Sequence, residues 1–135
     1  MLTVIESIGS SPGRQGFKML VAQDGFIWGS IGGGVMEHAL VTEAKDLLQQ
    51  KNAPFTVFKK QVHRKKAQAG SGMICSGEQS VVFHLLDKKS VAIIEMIIEI
   101  LDSNQKGLLT LSDVSFEVEE EKIPNKFYCK ITKYF

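Results

Sequence analysis

Cys75 lies in the stretch GSGMICSGE, flanked by glycines and preceded by the basic run KKQVHRKK at 59–66. A thiol beside cations or free backbone N–H groups ionises more readily, and the thiolate is both a nucleophile and a soft-metal ligand. A lone cysteine is more often an ordinary loop residue, so this stretch needs partners. One is GSIGGGVMEHALVTEA at 29–44, where three consecutive glycines precede a helical pattern. Glycines at a helix start leave N–H groups and the positive end of the dipole open to an anion. The same residues also suit a plain turn, with Gly34 as N-cap and the Glu37 carboxylate folding back on the helix start. The sequence leaves both readings open.

Other chemistries fit less well. A dinucleotide fingerprint would need glycine where Glu37 stands, and GSSPGRQGFKM at 9–19 lacks P-loop spacing. His38, His63 and His84 are scattered and no C-x-x-C pair exists, which argues against zinc. His84 sits in an apolar strand and reads as structural. DSNQKGLLTLSD at 102–113 mimics a calcium loop but fails at Lys106 and ends in aspartate. Ser10, Ser11 and Ser30 read as turn and capping residues. Cys129 alternates with Phe127 and Ile131 and reads as a small core residue.

The elements that must position these residues follow from periodicity. Strands are expected at 2–9, 17–23, 26–31, 55–62 and 79–86, with Asp24-Gly25 marking a hairpin. Met36, Leu40, Ala44, Leu47 and Leu48 recur at helical spacing, which predicts an amphipathic helix over 35–51. Ser90 is the expected N-cap of a second helix at 91–103. GLLTLSDVSFEVE and KFYCKITKYF read as a closing strand pair. The expected class is α+β: a single domain over 1–135, with a mixed sheet of about six or seven strands and two main helices packed on it.

Composition is that of an ordinary globular chain, 44% hydrophobic and 23% charged with a net charge of +1. Near-neutrality gives no general case for nucleic acid or a membrane surface. The apolar run VAIIEMIIEIL is interrupted by glutamates and too short to span a bilayer. Two cysteines make no disulfide framework and no signal peptide is recognisable, so a cytoplasmic location is expected.

Taken together, GSSPGRQGFKM, GSIGGGVME at 29–37 and GMICSGE at 72–78 resemble the N-terminal domain of the XdhC/CoxI family, accessory proteins of xanthine dehydrogenase and related molybdenum hydroxylases. The resemblance is clearest over about 3–86. It implies a non-enzymatic chaperone that binds the molybdenum cofactor (molybdopterin or its dinucleotide form) transiently during sulfuration and insertion. The implied partners are the hydroxylase apoenzyme and a cysteine desulfurase. Many members continue into a Rossmann-like second domain, so the chain reads as a stand-alone form, a truncated copy or one half of a split pair with a separate Rossmann-like chain. Carried over by position, the cofactor-binding residues are Ser10, Ser11, Arg14, Lys18, Gly32, Gly33, Gly34, Glu37, Gly72, Cys75 and Gly77, with Cys75 as a molybdenum contact. Gly13, Val35 and Ser76 depart from the family pattern at a basic residue, a cysteine and a glycine respectively.

The alternatives are a thiol-dependent sulfur-transfer enzyme using Cys75 and a cofactor-free assembly module. Substituting Gly33→Val is expected to block ligand approach at little cost to the fold. The second helix is apolar around most of its girth, which predicts a homodimer or a complex with a second domain burying part of 91–101.

Overall fold

The computed structural model describes residues 1–63, 77–112, 115–121 and 128–131. The chain forms two compact units, Met1–Leu85 and Leu86–Phe135.

The first unit is a five-stranded sheet with a helix on one face. Its strands are β1 (Leu2–Gly9), β2 (Lys18–Val21), β3 (Ile27–Gly29), β4 (Thr56–His63) and β5 (Gly77–His84). They lie in the order β3-β2-β1-β5-β4, and every neighbouring pair is antiparallel. Alternation along the strands sends Leu2, Val4, Met19, Val21, Val81 and Phe83 into one core. Helix α1 (Gly34–Gln49) covers that core with Leu40, Val41 and Ala44. Leu40 and Val41 each contribute roughly 1.5–3 kcal/mol on burial and Ala44 less, so the helix is held by this face. The Asp24-Gly25 hairpin is present: the Gly25 amide donates to the Ala22 carbonyl, and Gly25 takes φ +91°. His84 is buried, with its ring edge-on to Phe55 at 5.7 Å.

The second unit holds helix α2 (Val91–Asp102) and strands β6 (Lys106–Leu111), β7 (Phe116–Glu121) and β8 (Tyr128–Ile131). Its sheet runs β7-β6-β8, antiparallel on one side of β6 and parallel on the other. The closing hairpin is therefore β6–β7, within GLLTLSDVSFEVE, and Cys129 pairs in register with Leu109 across the parallel side. Ser90 is the N-cap residue of α2, as expected, but its side chain makes no cap hydrogen bond there. Asp87 caps a preceding 3-10 turn, Lys88–Ser90, with Ser90 as the reciprocal partner in a capping box.

The α+β class and its two helices are observed, with the strands divided between two sheets. The division follows from local chemistry. Strand β5 ends at His84, and the capping box at Asp87 commits the chain to helix before the later strands begin. Among the described residues no helix is long and apolar enough to cross a membrane.

Candidate functional site

The glycine turn is built around Glu37. Gly32, Gly33 and Gly34 take φ values of +133°, +76° and +74°, which L side chains rarely adopt. This backbone aims successive donors at one carboxylate oxygen. Glu37 Oε2 accepts from the Ser30 hydroxyl at 2.7 Å, the Ile31 amide at 2.8 Å and the Gly33 amide at 2.9 Å. The Gly32 amide donates to Ser30 Oγ at 3.2 Å, closing the ring. Burial alone would raise the Glu37 pKa. Hydrogen bonds from Ser30, Gly33, Ile31 and Gly32 outweigh it, and the carboxyl titrates below its ordinary value of 4.5. The N-cap is Gly33, one residue before the sequence expectation, and Glu37 folds back over it as the turn reading requires. The first amides of α1, those of Gly34, Val35 and Met36, have no intrahelical acceptor, because a helix start never supplies one.

A glutamine pair ties this turn to the β1–β2 loop. Gln79 is buried on β5, and its Oε1 accepts from the Ser11 hydroxyl at 3.0 Å. Its Nε2 donates to the Ile31 carbonyl at 3.3 Å and to Gln61 Oε1 at 3.5 Å. Gln61, its register partner on β4, donates in turn to the Met36 carbonyl at 3.3 Å. One buried side chain therefore joins the first loop, the glycine turn and, through Gln61, the start of α1.

Three glycines allow this closeness. A Cβ on Gly13 would stand 2.2 Å from the Ile31 carbonyl oxygen and 2.5 Å from Gln79 Oε1. One on Gly32 would meet the Gly13 nitrogen at 2.6 Å, and one on Gly77 would meet the Ser11 nitrogen at 2.7 Å. The Ser7 hydroxyl donates to the Gly13 carbonyl at 2.7 Å, fixing the loop from the other side. Gly13 stands where the family pattern has a basic residue. In this chain the position has no room for any side chain.

The sequence-derived residues divide into groups. Ser11, Gly13, Gly32 and Gly77 form the packed junction, and Glu37 organises the turn. Gly33 and Gly34 are different: nothing lies within 4 Å of where a Cβ would stand, so their backbone faces open space. Gly33→Val is nevertheless strained by the φ of +76°, which corrects the expectation of little cost to the fold. Ser10 and Arg14 are exposed on the first loop. Lys18 Nζ donates to the Gly16 carbonyl at 3.0 Å, within its own loop. Gly72 and Cys75 lie outside the described residues. Of the basic run before Cys75, Lys59 pairs with Glu43 at 2.7 Å and Lys60 with Glu78 at 2.6 Å. Gln79 and Gln61 escaped the sequence reading, although a glutamine inside the apolar run QSVVFHLL was a usable signal.

Residues 1–59 match the XdhC and CoxI family. The match spans the first two glycine segments and ends before the third. An uncharacterized protein of Escherichia coli (strain K12), YqeB, is 37% identical over 81 residues. That alignment takes in 60% of this chain and 14% of YqeB, so the chain spans a small part of its relative's length. No solved structure gives a significant match.

Proposed function

We propose that this chain binds the molybdenum cofactor transiently and acts as a chaperone in the sulfuration and insertion steps of a xanthine-dehydrogenase-type molybdenum hydroxylase. The observation that carries this reading is the open Gly33–Gly34 backbone at the start of α1, packed against the first glycine loop within the stretch that matches the family. A pterin cofactor carries a phosphate or pyrophosphate, and the residues present fit such a group. The amides of Gly34, Val35 and Met36 are the donors, and the exposed Arg14 guanidinium is the counter-charge. Glu37 holds the turn in shape and does not itself take the anion. When bound, the cofactor supplies the metal centre at which the hydroxylase does its chemistry; this chain binds, orients and shields it.

The partners proposed with this role are the apoenzyme and a cysteine desulfurase as sulfur donor, in the cytoplasm. Cys75 is the proposed neighbour of the metal. A second reading, a cofactor-free assembly module, draws on Glu37, because an internal carboxylate already takes three donors of the turn. Co-purification separates the two. Chain isolated from cells making the cofactor is expected to carry oxidisable pterin and molybdenum in equimolar amounts, whereas an assembly module carries neither.

A further inference from the structure

Helix α2 leaves an apolar stripe in solvent. Its more buried side holds Ile93, Ile97 and Ile100, of which Ile100 is 4% exposed. Beside them, exposed Val91, Ile98 and Leu101 and half-buried Ile94 recur at the three-then-four spacing of a helix-pairing seam. Val91, Ile98 and Leu101 are 49%, 51% and 53% exposed, unusual for side chains of this kind on one stripe.

The charges say which partner fits. Lys88 and Lys89 are exposed at the N-terminal end of this helical segment beside the capping Asp87, Glu95 is exposed at its middle, and Glu99 and Asp102 at the C-terminal end. A helix's own dipole favours the opposite arrangement, with acids first and bases last. Neither is present here: α2 has no acidic residue in its first turn and no basic one in its last. In an antiparallel copy Val91 of one helix layers on Leu101 of the other and Ile94 on Ile98, and Lys88, which flanks the seam, lies toward Asp102 of its partner.

We infer that two copies of this chain associate through α2, antiparallel about a two-fold axis. The contact is isologous, so the seam is self-complementary and closes without leaving a free edge. A single helix pair buries less than a standard interface, so the association is weaker than that of an obligate dimer. The glycine turn takes no part, so this inference and the cofactor reading stand or fall separately.

Analytical ultracentrifugation of the full chain without cofactor tests it, over low to high micromolar concentration. Wild type is expected to shift from monomer to dimer, and Ile98→Glu to remain monomeric with unchanged far-ultraviolet circular dichroism. Lys88→Glu with Lys89→Glu, and separately Glu99→Lys with Asp102→Lys, should each raise the dissociation constant on the order of tenfold. Both double variants improve the match to the helix dipole, so loss of folding does not explain the effect. Mixing the two should restore dimer as a heterodimer. A wild type monomeric throughout, a dimeric Ile98→Glu, or a mixture that stays dissociated would each overturn the proposal. A monomer would instead leave the stripe to a different domain.

Discussion

At the scale of single residues, the Glu37 carboxylate and Gly13 make separate and measurable contributions. Replacing Glu37 by Ala leaves the Ser30 hydroxyl and the Ile31 and Gly33 amides without their acceptor. A charge-assisted set of this kind, half open to solvent, is worth about 1–2 kcal/mol. The expected readout is a lower urea midpoint with unchanged slope. Because the folded pKa of Glu37 is depressed, its contribution is complete above the ordinary value of 4.5 and is lost as pH falls through the folded value. The gap in stability between wild type and Glu37→Gln should therefore narrow in acid, and a gap independent of pH would remove the charge from the account. Gly13→Ala forces a methyl onto the Ile31 carbonyl, an overpacking cost of about 1–3 kcal/mol. Gly16→Ala is the control: its Cβ meets nothing within 4 Å, and only the φ of +89° opposes it. Equal losses at the two positions would show that the loop junction is not tight.

At the scale of elements, Gln79 on β5 is the residue on which the site's geometry rests. Gln79→Leu preserves bulk but strands the Ser11 hydroxyl and the Ile31 carbonyl, at about 1–3 kcal/mol for each group left buried and unpaired. Amide hydrogen exchange should quicken in the first loop and the glycine turn together, while the β2–β3 hairpin stays protected. Exchange confined to β5 would contradict the coupling. Much of this architecture was legible in the sequence. Alternation gave the strands of the first unit, and the Leu40–Val41–Ala44 stripe gave α1. The three glycines announced a turn with positive φ. The Gln79–Gln61 pair was not legible, because its meaning depends on the register of β4 against β5. Nor was the division into two sheets, since strand patterns state which face is apolar but not which strand is the neighbour. Gly13 was legible only as a departure from a basic residue, whereas the fold makes its missing side chain a requirement of loop packing.

At the scale of the whole molecule, the N-terminal unit carries the glycine turn and the C-terminal unit a helix with exposed apolar side chains. Docking of an anionic cofactor on the open helix start is tested most sharply at Val35. Val35 is 78% exposed in the first turn of α1, beside the amides proposed to receive the phosphate. A carboxylate placed there favours the helix dipole by about 0.3–1 kcal/mol, so the Val35→Glu variant should fold at least as well as wild type. The same charge repels a phosphate, whereas Val35→Lys attracts one. The measurement is equilibrium binding of isolated molybdopterin under anaerobic conditions, compared across wild type, Val35→Glu and Val35→Lys at matched folding stability. Binding that falls on the order of tenfold for Val35→Glu and holds or rises for Val35→Lys is the result this account predicts. Wild-type binding indifferent to both charges, or no binding by any of the three, would contradict it.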